Sequence, residues 1–182
     1  MTTPAHLDKS NLALSFFKAI KDRVRTPNTT PNGRAYDAGW IDFDDDHYDN
    51  STHNYWARVE FLDESAGSFS ASMVQIRCLQ RLSASDGLGT EVREMADLFV
   101  RALRLYGGKI KIYDFSTPAS PVEVPSKFLG IQTSGLIWGE PESGPSRGNP
   151  PEGASELVLT YRFKVLPSDY TGEKKRDYTQ ES

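Results

Sequence analysis

The sequence predicts an α+β domain: an antiparallel or mixed β-sheet with two helices packed on one face. Three observations carry that prediction. The segments 12–24 and 90–106 repeat their apolar residues every three or four positions, the period of an amphipathic helix. The segments 55–62, 69–81 and 157–166 alternate in and out with the period of two that marks a strand with one buried face. The first two strands follow one another through a short glycine-containing turn, which favours antiparallel pairing as a hairpin.

Bulk properties narrow the classes open to the chain. Its 182 residues suffice for one domain that buries about 70% of the unfolded surface without help from a metal or a disulfide. We read 1–166 as that domain and 167–182 as a polar tail with too little apolar surface to offset ordering entropy. Cys78 is the single cysteine, which excludes an intramolecular disulfide and a cysteine-based zinc site and fits a reducing compartment. No segment has the length and apolar character of a signal peptide or a membrane span, so a soluble, unexported protein is expected. A net charge of −4 argues against a general nucleic-acid-binding surface, which needs clustered Lys and Arg.

The first helix carries Leu12, Phe16, Ile20 and Val24 on one stripe, with Ala13 and Phe17 beside it, and Ser10 or Asp8 as the N-cap. The turn-forming run TPNTTPNG follows. In YWARVEFL, Tyr55, Ala57, Val59 and Phe61 alternate against Trp56, Arg58, Glu60 and Leu62. Val74, Ile76 and Cys78 share one face of the next strand, with Gln75, Arg77 and Leu79 on the other.

The second helix starts at a cap supplied by Asp86 or Thr90, with Glu91 and Glu94 at its positive end and Arg101 and Arg104 at its negative end. Val92, Ala96, Phe99, Leu103 and Tyr106 form its apolar face. The DGLG before it lacks both glycine-rich phosphate-loop patterns and reads as a tight strand-to-helix turn. Gly107 and Gly108 supply the left-handed C-cap. KIKIYDF is a strand with Ile110 and Ile112 inward and Lys109 and Lys111 on the solvated face. Pro118, Pro121 and Pro125 break regular structure, strand character resumes over 127–138, and the stretch from Gly139 to Ser155 reads as an extended surface loop. The expected core is Leu12, Phe16, Ile20, Val59, Phe61, Val74, Ile76, Phe99, Leu103, Ile112, Tyr161 and Phe163.

One stretch invites a chemical reading. Within AYDAGWIDFDDDHYDNSTHN, Asp42, Asp44 and Asp46 have the opening spacing of a calcium loop. The pattern then fails, because His47 stands where the loop needs glycine and His53 where it needs a bidentate glutamate. A divalent-metal cluster of Asp44, Asp46, His47 and His53 is the sharper alternative to a solvated acidic loop, and we favour the loop. No Ser-His-Asp or Cys-His pattern accompanies these residues, so neither an enzyme nor a cofactor is expected.

The order of the early helix NLALSFFKAIKDRV, the aromatic-led strand YWARVEFL, the strand SMVQIRCLQR, the helix after SDGLGTEVREMADLFVRAL, the strand KIKIYDF and the closing strand ELVLTYRFKVL resembles the tail terminator, or tail completion, proteins of long-tailed bacteriophages. The likeness is one of element order with a few preferred residues, and it runs to Leu166. It implies a virion structural protein, assembled in the host cytoplasm and located at the head-proximal end of the tail. Six copies would form a ring that caps the tail-tube protein, stops its growth and presents a surface to the head-completion or connector protein. DNA would pass through the channel without specific binding, and no membrane is involved. A ring needs two complementary patches on each subunit, which exposed sheet edges and long loops provide. Asp44, Asp45 and Asp46 are candidate lumen contacts in the acidic loop 42–49, and Trp138, Glu140 and Arg147 are candidate assembly contacts. The alternatives are another head–tail joining or neck protein of the same particle, or a monomeric ligand-binding α+β module that presents the 139–155 loop.

Overall fold

A computed structural model describes residues 9–24, 39–43, 47–62, 72–84, 90–104, 108–133, 136–137, 142–144 and 154–167. Its elements follow the order α1 (Lys9–Arg23), β1 (Ile41–Asp42), β2 (Tyr55–Leu62), β3 (Ser72–Arg81), α2 (Thr90–Arg104), β4 (Lys109–Asp114), β5 (Val122–Thr133), β6 (Leu136–Ile137), β7 (Glu142–Gly144) and β8 (Ala154–Pro167). The fold is α+β, and its sheet is mixed.

The strands lie in the order β1-β2-β3-β8-β5-β4, with β6 paired to β5 and β7 to β8. The β1–β2 pair is parallel, and every other pairing is antiparallel. β2 and β3 form the expected hairpin, with Tyr55 opposite Gln80 and Leu62 opposite Met73. The last strand then enters the middle of the sheet: β8 pairs with β3 from Ala154 to Phe163 and with β5 from Arg162 to Pro167. The β2–β3 and β4–β5 hairpins are therefore joined through β8.

Alternation along the strands sorts their side chains onto two faces. Ala57, Val59, Val74, Ile76, Cys78, Leu159, Tyr161 and Phe163 are buried with both helices in one cluster. The stripe Leu12, Phe16, Ile20 and Val24 on α1 is buried, as are Val92, Met95, Ala96, Phe99, Ala102 and Leu103 on α2. Phe16 stacks on Phe163, with ring centroids 5.6 Å apart and planes 15° apart. Trp40 packs at 5.6 Å against Phe99. Every residue of the expected core is buried except Phe61, which packs half-buried against the cluster and tilts over Phe163.

Several boundaries differ from expectation for physical reasons. Ser10 lies inside α1 rather than at its cap, and Asp8, Asp86, Tyr106 and Gly107 fall outside the described residues. Gly108 has φ 73°, the left-handed conformation expected after α2. β1 was not legible in the acidic stretch, because two residues are too few to show a period. β5 begins at Val122 and contains Pro125. Between the pairs Lys111–Phe128 and Tyr113–Glu123, Ile112 alone on β4 faces Val124–Lys127 on β5. A residue with no N–H is tolerated at such an irregularity, where the ladder is already broken. The stretch read as a loop from Gly139 to Ser155 contains β7 and the first residues of β8.

Candidate functional site

The six residues singled out as contacts, Asp44, Asp45, Asp46, Trp138, Glu140 and Arg147, lie outside the described residues. The structure does fix the ends from which their segments spring. On one side of the acidic run, Phe43 packs against Phe17 of α1 with ring centroids 5.5 Å apart, and the Lys21 ammonium lies 4.7 Å from its centroid. On the other side, Tyr48 packs on a small cluster of Trp56, Leu79 and Ala154. This cluster sits on the sheet face opposite the helices. The Tyr48 hydroxyl donates to the Gly39 carbonyl at 2.9 Å, and its ring stacks on His53 at 6.1 Å.

The turn that follows is held from two directions. The Asp49 carboxylate accepts the Ser51 amide at 2.8 Å. Hydrogen bonding from the Ser51 side chain, and then from its amide, holds the Asp49 pKa below the ordinary carboxylate range. From β3, Arg81 reaches back to donate to the His53 carbonyl at 2.8 Å and the Asn50 carbonyl at 2.6 Å, while its guanidinium lies 5.5 Å from the Trp56 ring centroid. Burial, reinforced by the charges of Asp42 and Asp49, pushes the Tyr48 phenol up to about 12. The loop 47–54 is thus a pinned feature of the sheet surface.

Beside it runs a charged ladder that crosses four strands. Arg58 Nε lies 3.5 Å from an Asp42 carboxylate oxygen on β1 and 2.9 Å from Glu60 on β2. Glu60 also lies 3.8 Å from Arg77 Nη1 on β3, and Arg77 Nε is bound to Glu156 on β8. The outer carboxylates are deeply sequestered, with side chains 4% exposed at Asp42 and 1% at Glu156. The hydrogen bond to Glu156 raises the Arg77 pKa above its ordinary value. Arg58, Glu60 and Arg77 were visible in the sequence as the polar halves of two alternating strands. Nothing local showed that Asp42 and Glu156 would complete their pairing.

The far edge of the sheet is differently built. β4 is the terminal strand, and α1 lies against it. Ser15 Oγ accepts the Tyr113 amide at 2.9 Å, Asn11 Oδ1 accepts the Phe115 amide at 3.1 Å, and Arg23 Nη2 donates to the Lys109 carbonyl at 2.5 Å. The edge is therefore occupied by side chains at three backbone groups. Since α1 also packs on Phe43, just past β1, one helix touches chain adjoining both ends of the strand order. The sheet must curl around it for this to happen.

Two predicted readings bear on chemistry. His47 is exposed, whereas His53 is buried and stacked on Tyr48. Among the described residues no group of three or more His, Cys, Asp or Glu side chains is placed to hold a metal ion. Cys78 is buried on the helix-packed side of β3, and burial pushes its thiol well above the ordinary range, away from the reactive thiolate. No known protein-family model matches the chain, and no curated protein sequence matches it.

Proposed function

We propose that this chain is a structural assembly protein of the tail-terminator kind, a subunit of a ring that caps a tail tube and presents a surface for the head connector. The observation that carries the reading is the order of the elements themselves. A leading helix, a hairpin, a second helix and a further hairpin are locked by a last strand inserted at the centre of one sheet. The likeness to tail terminators rests on the chain order of helix, strand pair, helix, strand and closing strand, and the insertion of the last strand gives that order one shared sheet. Support also comes from how the polar groups are used. Arg58, Glu60, Arg77 and Glu156 hold strands together, and Arg81 pins a loop. Acidic and Pro/Gly-rich segments leave from anchored points of this scaffold. In the ring, Asp44, Asp45 and Asp46 line or border the channel, while Trp138, Glu140 and Arg147 belong to the contacts between components.

The test is electron microscopy of the protein added to growing tail tubes from the same particle. Rings seated on one end of tubes whose elongation has stopped are the expected result. Tubes that elongate unchanged, with the protein free in solution, overturn the proposal. Binding to isolated heads but not to tubes assigns the chain instead to the head side of the joint.

A further inference from the structure

Two features of opposite charge flank α1. Successive helix residues turn by about 100°, so the stripe Asn11, Ser15, Ala19 and Arg23 lies roughly opposite Phe17 and Lys21. The stripe holds β4, through the bonds of Asn11, Ser15 and Arg23 to Phe115, Tyr113 and Lys109. Phe17 and Lys21 hold Phe43, where the chain leaves β1.

On the β4 flank the sheet turns a basic strip outward. Ile110, Ile112, Leu129 and Phe163 are buried in the core, so alternation sends Lys109 and Lys111 on β4, and Arg162 and Lys164 on β8, to the other face. Lys164, Gly130 and Lys109 stand in one row across β8, β5 and β4. Two strand spacings of about 4.8 Å set the lysine Cα positions about 10 Å apart, with no side chain at the residue between them. Lys111 and Arg162 are exposed. Against these cations the described residues set Glu123, which pairs with Lys111 at 2.7 Å. The other half of the same face is balanced, because Asp42, Glu60 and Glu156 match Arg58 and Arg77 there.

On the Phe43 flank the sequence continues as Asp44, Asp45 and Asp46 before His47. Extended chain spans at most about 3.6 Å per residue, so a run tethered at both Phe43 and His47 reaches outward at most about 7 Å. The strip of the same chain lies across α1, and a helix is about 10 Å wide. The run is therefore better placed to meet the strip of another copy than its own.

We infer that the strip of Lys109, Lys111, Arg162 and Lys164 receives the Asp44, Asp45 and Asp46 run of a second copy, head to tail. Complementary charge names the occupant. A chain that carries the two halves on opposite flanks offers each copy a neighbour on either side. Such a contact uses two different surfaces and closes into a ring when the rotation between copies closes. The inference rests on the ring reading and names its joint between subunits, where the acidic run borders the channel. Exposed ion pairs are individually weak and screened by salt, so the joint acts as a network and loosens as salt rises.

The experiment swaps the charges in the full chain. One variant carries Lys109→Glu and Lys164→Glu, the other Asp44→Lys and Asp46→Lys, with circular dichroism as the check on folding. The milder Lys109→Gln/Lys164→Gln weakens association without reversing the charge. Sedimentation at low salt and capping of tail tubes are followed for the parent, for each swapped variant and for their equimolar mixture. Expected are a parent mass that rises with concentration and falls with salt, and swapped variants that stay monomeric and leave tubes uncapped. The mixture should recover both properties, because each swapped surface finds its opposite on the other variant. The inference is overturned if either swapped variant associates as the parent does, if the mixture fails to recover, or if the parent neither associates nor caps. Swapped variants that cap tubes as well as the parent leave the ring reading standing without this joint. Association that follows the charges while the parent leaves tubes uncapped keeps the joint and removes the ring reading. DNA binding lost by the lysine variant with its self-association intact gives the strip to nucleic acid and overturns the inference.

Discussion

Arg58 on β2 and Arg77 on β3 stand directly opposite each other across the hairpin. Like charges in that position destabilise a sheet unless something lies between or around them. Here Glu60 contacts both guanidinium groups, Asp42 approaches Arg58 at the same Nε, and Glu156 binds Arg77 at Nε while Glu60 lies by its Nη1. Three carboxylates and two arginines thereby tie β1, β2, β3 and β8 together on the face away from the helices.

The ladder predicts a specific asymmetry. Arg77→Met leaves the Glu156 carboxylate buried without its partner, and removing one member of a buried pair costs about 3 kcal/mol. Replacing both, as Arg77→Met/Glu156→Gln, removes the stranded charge and should recover a large part of that loss. Urea unfolding at neutral pH checks this. Equal destabilisation by the single and double variants would mean that Glu156 finds adequate compensation elsewhere.

Gly130 offers a packing test. A Cβ built there would lie 2.5 Å from Leu166 Cδ1 and 3.4 Å from the Phe128 ring. The obstacle is the end of a side chain, so Gly130→Ala should force Leu166 to turn and cost about 1 to 2 kcal/mol by overpacking. In a Leu166→Ala background the same substitution should cost almost nothing. Thermal melts of the four proteins provide the comparison, and an equal cost in both backgrounds would discount the contact.

The half-buried position of Tyr48 predicts an alkaline effect. Its phenol ionises near 10 when unfolded and is pushed up to about 12 in the fold. Between those values the unfolded chain has lost a proton that the folded chain keeps. The contribution is therefore whole below about pH 10 and is lost as pH rises towards 12. Difference absorbance of phenolate between the parent and Tyr48→Phe should isolate one late-titrating tyrosine. The parent should also lose more stability than the variant between pH 9.5 and 11.5, and parallel losses would contradict the assignment.

Phe99 tests the junction of α2 with the sheet. It is fully buried and meets Trp40, the residue that leads into β1. Phe99→Ala should cost about 3 to 5 kcal/mol, as for other large core truncations. A melt that hardly moves would mean that the cavity collapses without loss.

The legibility of the fold varied with the length of the signal. α2 could be read because Val92, Ala96, Phe99 and Leu103 repeat over about three turns, and β2 because eight residues alternate without interruption. β1, with two residues, offered no such pattern. Pro125 was misleading, since a proline usually argues against a strand, yet here it sits where the β4–β5 ladder is already irregular. Trp56 and Leu79 were read as the outward half of their strands, but they are buried beside Tyr48, from a loop that alternation does not describe.

The sequence by itself determined the two helices and the long strands β2, β3, β4 and β8, together with the apolar face each turns to the common core, because those follow from periodicities of 3.6 and 2 along the chain. It also determined that one core should hold the two helices against the sheet. Only the tertiary structure decided that β8 enters between β3 and β5, that Asp42 and Glu156 complete the ladder around Arg58 and Arg77, and that Asn11, Ser15 and Arg23 close the β4 edge. Those pairings join residues up to about a hundred positions apart, for example Ser15 and Tyr113. Their partners are selected by the register and curl of the assembled sheet, and no local pattern encodes that choice.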